Sequence, residues 1–316
     1  MRNKILKMIG RRIVQSCITI FLVTLIVFML IQMVPGDAVT NFLGASATEE
    51  QIAYYTQLYG YDQPVIVQYF KWISGLFHGT MGLSISYQRE ISEVIFPRFL
   101  TTLSVVIPAF IIAVVAGILL GIAAAQNRGK WIDTIVSFFA NIGVSMPVFW
   151  LGIVLMLVFG LQLGILPTSG YTGISNGAGE WIQHLILPVL TLSAGVVAQF
   201  MRQTRSSMLE VIRQDYVTTA KAKGVDKKTI IAKHQLRNAL IPIVTVMGNR
   251  LGGMVGGTVL IESLFVIPGL GNLMITSINS RDYMVVANGV LVIAVFVALC
   301  NLIVDILYGI IDPRTR

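Results

Sequence analysis

The chain has 316 residues, 55% of them hydrophobic and only 12% charged, with a formal net charge of +8. Soluble globular domains carry about a quarter charged residues. This deficit, together with a mean hydropathy of +0.78, excludes an ordinary soluble protein and puts the chain in the membrane class. Cys17 and Cys300 sit far apart in apolar runs and the three histidines are scattered, so neither a disulfide framework nor a metal site is expected.

Crossing about 30 Å of hydrocarbon takes roughly 20 apolar residues. Five stretches free of Asp, Glu, Lys and Arg reach that length: 13–32 (running on to Val34), 101–125, 134–161, 181–201 and 283–304. A sixth, 238–261, is interrupted only by Arg250. The pattern predicts an all-α polytopic membrane protein with six transmembrane helices. The first stretch follows Arg2, Lys4, Lys7, Arg11 and Arg12, as a secretory signal core does. Its apolar run is longer than such a core, and "VPGDAV" (34–39) follows it in place of a small-x-small cleavage site, so a retained anchor is expected. Lys and Arg then set the orientation: segments 1–12, 126–133, 202–237 and 305–316 hold 18 of them, and the alternate segments 35–100, 162–180 and 262–282 hold 4. By the positive-inside rule both termini face the cytoplasm. The +8 is a topology signal and not a nucleic-acid footprint.

Residues 35–100 form the long external segment. "TEEQ" (48–51) reads as a capping box opening a helix that stops near Gly60. Next, Val65, Ile66, Tyr69, Phe70, Ile73, Leu76 and Phe77 fall on one face of a second helix. That face suits either the lipid interface or an extracytoplasmic partner. Pro108, Pro147 and Pro188 lie within spans and predict kinks. His184, at the start of the fourth span, reads as a hydrogen-bonded or snorkelling group.

The longest cytoplasmic loop, 202–237, carries nine basic residues. Met208, Val211, Ile212, Tyr216, Thr219 and Ala220 recur at helical spacing, predicting one apolar stripe. Gly224 is placed to end that helix, since glycine adopts the left-handed conformation without a Cβ clash. Asp226 is placed to cap the next helix. The result is a helix–turn–helix elbow with small residues Ala220, Ala222 and Gly224 at the bend and Lys221, Lys223, Lys227 and Lys228 around it. The lysines alone suit acidic lipid headgroups. The stripe and the small bend suit a docked cytoplasmic protein. In the fifth span, Gly248, Gly252 and Gly256 recur every four residues, a close-packing pattern that serves either this bundle or an interface with another membrane subunit. Arg250 lies about 18 Å into that span, twelve residues at ~1.5 Å each. An intramembrane charge points to a path for substrate, with structural pairing to Asp305 as the alternative. Glu262 and Asp282 flank the next external hairpin, as gate or partner contacts or as solvated ends.

"TTAKAKG" (218–224) resembles the EAA loop of ABC-importer permeases: Ala220 and Gly224 match, Thr218 and Thr219 stand at its acidic and first alanine positions, and Arg237 stands at its proline position. "LRNALIP" (236–242), with Pro242 displaced, is similar to the peptide/nickel permease branch. So are "VPGDAV", "YDQPVIVQYFKWISGLFHGTMGLS" (61–84), "SMPVFWLGI" (145–153), "LPTSGY" (166–171) and "ESLFVIPGLG" with "RDY" (262–283). The resemblance covers nearly the whole chain and is to the B-type subunit of oligopeptide/dipeptide importers. It implies the type I importer permease fold, with an anchor and external segment at 1–100, a transport core at 101–308 holding the coupling loop, and a cytoplasmic tail at 309–316. It also implies a second related permease, two ATPase subunits that bind ATP and Mg, and an extracytoplasmic substrate-binding protein. Tyr216, Thr219, Ala220, Ala222, Lys223, Gly224 and Val225 are then the ATPase-docking residues, and Gly248, Arg250, Gly252 and Gly256 the permease interface or pathway. The chain itself has no phosphate-binding G-x-x-x-x-G-K-[ST] loop, so it is expected to be a transport subunit and not an enzyme. Peptide is the expected cargo, with nickel or a metal chelate as the alternative. An intramembrane enzyme lacks a catalytic set here. A stand-alone channel or secondary carrier would leave the elbow unused.

Overall fold

In a computed structural model, residues 2–33, 38–44 and 46–311 are described, without the side chains of 2–9 and 307–311. Residues 34–37 of the "VPGDAV" motif and tail residues 312–316 lie outside them. The described residues are helical apart from connections and one isolated β-bridge between Leu83 and Glu90. Among the described residues, five helices are long and apolar enough to cross a membrane, and a bent pair taken as one span makes a sixth. The chain divides into two compact units.

One unit holds residues 104–267 and the ends of the chain. Its helices are α5 (Ile91–Gln126, from residue 104), α6 (Trp131–Ser145), α7 (Val148–Leu155), α8 (Ala178–Ile212), α9 (Asp215–Ala222), α10 (Lys227–Thr229) and α11 (Arg237–Leu264). Helix α8 is its pillar: 56% of its apolar window is buried, the largest share among the five long apolar helices. Two glycines set the packing of α5 on it. A Cβ on Gly117 would lie 2.5 Å from Phe200 Cβ, and one on Gly121 would lie 2.5 Å from Thr204 Cβ and 2.8 Å from the Met201 carbonyl oxygen. The backbones touch there, as a small-xxx-small stripe allows. Next to that contact Phe200, Ala113 and Ile243 close a core shared by α5, α8 and α11.

The third span differs from the continuous helix expected over 134–161. Helix α6 stops at Ser145, and Pro147 opens α7, which runs on as a π-helical turn over Met156–Gln162. The two halves bend by 106°. Pro147 has no amide hydrogen to continue α6 and its ring crowds the preceding turn, whereas φ near −65° suits a helix start. Helices α5, α8 and α11 continue through Pro108, Pro188 and Pro242. After α7, the "LPTSGY" loop folds back: Gly170 N donates to the Phe265 carbonyl (2.8 Å), Trp181 Nε1 donates to the Tyr171 hydroxyl (3.3 Å), and His184 Nδ1 lies 3.2 Å from the Gly170 carbonyl oxygen. His184 is thus a hydrogen-bonded group.

The other unit holds residues 11–103 and 268–298. It contains α1 (Arg2–Gln32, from residue 11), α2 (Ala38–Leu43), α3 (Glu49–Tyr59), α4 (Val65–Phe77), the start of α5, α12 (Leu270–Asn279) and most of α13 (Tyr283–Ile311). The capping box forms as expected: the Gln51 amide donates to Thr48 Oγ1, the Gln51 side chain accepts from the Thr48 amide, and Gly60 ends α3 at φ 71°. Helix α4 does not lie with its whole aromatic face on lipid. Tyr69 and Trp72 are buried with Phe28 and Ala287, while Ile66, Phe70 and Phe77 stay exposed. Trp72 Nε1 donates to Asn288 Oδ1 (3.1 Å), and Asn288 in turn donates to the Met81 carbonyl (3.0 Å). Trp72 is absent from the expected face because its role is set by a polar partner 216 positions away in the chain, which periodicity does not register.

Candidate functional site

Two constellations in the unit built on α8 carry the candidate chemistry. The first is the elbow. The expected single stripe from Met208 to Ala220 is split, because α8 ends at Ile212, Arg213 and Gln214 turn the chain, and α9 starts at Asp215. Val217, Ala220 and Ile230 form a buried cluster with Val211 and Val225 against it. Ala220 therefore faces inward and braces the elbow, where a larger side chain has no room. Gly224 has φ 75°, as expected of a left-handed helix stop. The Thr229 amide donates to Asp226 Oδ2 at 2.9 Å, and hydrogen bonds donated by the Thr229 hydroxyl first and its amide second hold the Asp226 carboxyl below the usual carboxylate range. Tyr216, Thr219, Ala222, Lys223 and Gly224 are exposed and Val225 is half-buried. Asn238 Nδ2 donates to the Tyr216 hydroxyl (3.0 Å), joining α9 to the base of α11. Lys227–Thr229 continues as a π-helical segment, Ile230–Leu236, into α11, so elbow and span form one run of helix. Gln126 Nε2 donates to Gln235 Oε1 (2.6 Å), which ties the end of α5 to the same segment.

Sequence reasoning missed a second tether. Arg205 grips Asp133 with two bonds, Nε to Oδ1 (2.6 Å) and the second guanidinium nitrogen to Oδ2 (2.8 Å). Asp133 also accepts from the Gly129 amide (3.1 Å). A two-pronged arginine–carboxylate pair fixes orientation as well as distance. It locks the start of α6 to the last turns of α8, just before the elbow. The two residues are 72 apart, and no local spacing marks them as partners.

The second constellation is a cavity of about 260 Å³ where the third span breaks. Met146 and Val148 line it from the break, Gln199 from α8, and Arg250, Gly253 and Gly257 from α11. Arg250 has no hydrogen-bond or ion-pair partner among the described residues, and the pairing to Asp305 is not made. The fifth-span glycines divide by face. A Cβ on Gly248 would lie 3.0 Å from Val304, which is packing inside the chain, and Gly252 is buried. A Cβ added at Gly253, Gly256 or Gly257 would meet nothing within 4 Å, so these three leave a smooth, open helix face.

Glu262, at the end of α11, is buried, and so is Asp282 in the other unit, so neither is a solvated end or a surface contact. Asp282 Oδ2 accepts from Ser84 Oγ (2.5 Å) and the Ser86 amide (3.0 Å), which fastens the 84–86 loop to the start of α13. Tyr59 is pushed above the usual tyrosine range by burial first and by the charge of Asp282 second.

Long apolar helices around a broken span, with a cavity at the break and a surface elbow on the same run of helix, are the features of a polytopic α-helical membrane protein. Comparison with known proteins sharpens this. The chain belongs to the family described as "Binding-protein-dependent transport system inner membrane component", which it matches over residues 117–316, with the corresponding N-terminal family over 5–106. It is 42% identical over 298 residues to the glutathione transport system permease protein GsiC of Salmonella paratyphi A, covering 94% of this chain and 95% of that one. It is 37% identical over 306 residues to a probable peptide ABC transporter permease protein, y4tP, of Sinorhizobium fredii, covering 97% and 98%. Its fold is similar to a chain in inward-facing conformations of the MetNI methionine ABC transporter, with a TM-score of 0.57 at 18% identity over 70% of this chain and 97% of that one. The chain is a permease subunit of an ATP-driven importer, with the type I importer permease fold, in the inner membrane. It works with an ATPase and a substrate-binding protein.

Proposed function

We propose that this chain forms half of a peptide translocation path and is driven through its elbow. The observation that carries the reading is the elbow itself: a left-handed turn at Gly224, a capped start at Asp226, a buried brace at Val217, Ala220 and Ile230, and an exposed rim of Thr219, Ala222 and Lys223. A rim of small and basic residues on a braced turn suits a groove in a separate ATPase. In this reading two ATPase subunits bind ATP and Mg, and a second, related permease completes the path against the open glycine face at Gly253, Gly256 and Gly257. The substrate-binding protein delivers from outside. Both termini and the elbow are cytoplasmic, as 18 of the 23 Lys and Arg residues argue. Residues 1–100 serve as anchor and external segment, 101–308 as the transport core and 309–316 as a tail. The peptide class rests on relatives named as glutathione and peptide permeases.

Movement of the elbow reaches the membrane by two routes: along the continuous helical run into α11, which carries Arg250, and through the Asp133–Arg205 pair into the broken third span. Both routes end at the walls of the same cavity.

The test is a substitution on the rim that leaves the brace alone. Ala222→Glu places an acidic group among the lysines of an exposed surface. The expected result is a normal amount of chain in the membrane, loss of ATPase subunits from a mild-detergent pull-down, and uptake reduced about tenfold or more. Wild-type uptake and normal ATPase recovery would show that the docking surface lies elsewhere. Gly224→Val and Ala220→Glu should also uncouple, but by deforming the elbow: the first forces a β-branched residue to positive φ, and the second puts a carboxylate into the buried cluster.

A further inference from the structure

The cavity at the break in the third span holds two polar groups with nothing to bind. Arg250 lies midway along α11 and has no partner among the described residues. Gln199 comes from α8, and its Oε1 is buried without a hydrogen-bond partner. Buried polar atoms are nearly always satisfied, so the orphan acceptor on Gln199 needs a reason, and Arg250, exposed on the open side of the same cavity, is free to meet a ligand. Each group states what it lacks. A guanidinium presents five N–H donors in a planar fork and calls for an anionic oxygen pair. An amide oxygen accepts only, so it calls for an N–H donor. A third feature has the sign of the first: α7 begins at this cavity with Val148 in its wall, and a helix start carries partial positive charge. The remaining wall is small or apolar, including Gly143, Gly195, Gly253 and Leu192, apart from Thr191, whose hydroxyl already donates to the Leu187 carbonyl (2.7 Å).

A ligand that satisfies both groups carries an anionic oxygen pair and an N–H on neighbouring atoms. The C-terminal residue of a peptide does so, with its carboxylate and its own backbone amide. The cavity is also smaller than the ~300–1,000 Å³ of typical ligand pockets. It therefore suits one end of a cargo and not the whole of it, and the open side leaves the rest of the ligand free. We infer that Arg250 and Gln199 form a carboxy-terminal subsite for peptide cargo inside the membrane, Arg250 taking the terminal carboxylate and Gln199 the adjoining N–H. This rests on the peptide-transport reading above. It adds a selective contact within the permease, separate from selection by the binding protein.

The experiment is uptake of radiolabelled trialanine and of its C-terminal amide. It uses cells that lack other peptide importers and carry either wild-type or variant chain, with membrane amounts matched. The binding protein is the same throughout, so a change in the acid-to-amide preference reports on the permease. Arg250→Met should lower trialanine uptake about tenfold or more, the usual scale for losing a hydrogen bond to a charged group. It should change uptake of the amide little, so that the preference collapses, and Arg250→Lys should restore part of it. Gln199→Leu should lower both severalfold, because both probes keep the N–H. If Arg250→Met fails to accumulate, Arg250→Gln reads the same ratio. An unchanged preference in a variant present at normal amounts overturns the subsite while leaving peptide transport standing. Absence of uptake of both probes by the wild type overturns the peptide reading and the subsite with it.

Discussion

Asp226 shows how much a single side chain can hold. Its carboxylate satisfies one of the unpaired amides at a helix start, and hydrogen bonds from Thr229 keep its proton off to lower pH than for a free aspartate. A depressed folded-state value means that the cap contributes above the unfolded value, about 3.9, and is lost as pH falls through the lower folded one. The elbow should therefore keep its turn from neutral pH into mild acid. Asp226→Ala should speed amide hydrogen exchange across residues 227–230, while Asp226→Asn, an equally good cap, should not. Equal exchange in both variants would leave the cap without a role. This much was legible in the sequence, because a cap and its amide lie three residues apart. Ala220 was legible as part of the elbow but not as its inward brace. Its burial depends on Ile230 and Val211 meeting over it, and spacing along one helix says nothing about a turn between two.

Among the helices, glycine stripes look alike in the sequence and differ in what they touch. Gly248, Gly252 and Gly256 stand out because they sit around a charge in one span. Gly117 and Gly121 set a tight contact between α5 and α8 and have the same four-residue spacing inside "AGILLG", but no charge beside them draws attention to it. A Cβ at Gly117 meets Phe200 Cβ and, at 3.0 Å, the Val197 carbonyl oxygen, which cannot swing away as a flexible side chain does. Gly117→Ala and Gly121→Ala should each destabilise the purified protein by about 1–3 kcal/mol, the usual cost of overpacking. Gly253→Ala meets nothing and should leave thermal stability unchanged or slightly raised, since alanine favours helix. If it weakens recovery of the second permease at the same time, the open face is the proposed interface. Comparable losses at Gly117 and Gly253 would mean that α5 and α8 do not approach this closely. The third span carries a related lesson. Pro147 announces a kink, but neither its size, 106°, nor the cavity that α8 and α11 line at the break is written in the proline.

Across the whole molecule, charge and hydropathy did most of the specifying. Six spans and a basic elbow follow from where Lys and Arg are absent and where they gather, since a bilayer admits little else. On the proposed orientation, Lys228→Cys should react with a membrane-impermeant maleimide in inside-out vesicles, and Gln57→Cys only in right-side-out ones. The reverse pattern would invert the topology. The packing of residues 38–100 with α12 and α13 was not legible. Its contacts, Ser84 with Asp282 and Trp72 with Asn288, join positions 198 and 216 apart through single hydrogen bonds that no periodicity encodes. The broken third span also bears on how the chain is made. Its first half, Trp131–Ser145, has 15 residues, about 22 Å of helix at ~1.5 Å per residue, which is less than the hydrocarbon is thick. The second half is no longer, and the backbone at the break finds no partners in lipid. Neither half can therefore leave the insertion machinery as a finished span. Only the two halves together, the uncharged run 134–161, reach the length of a span, so biosynthesis of this region is a joint event for both.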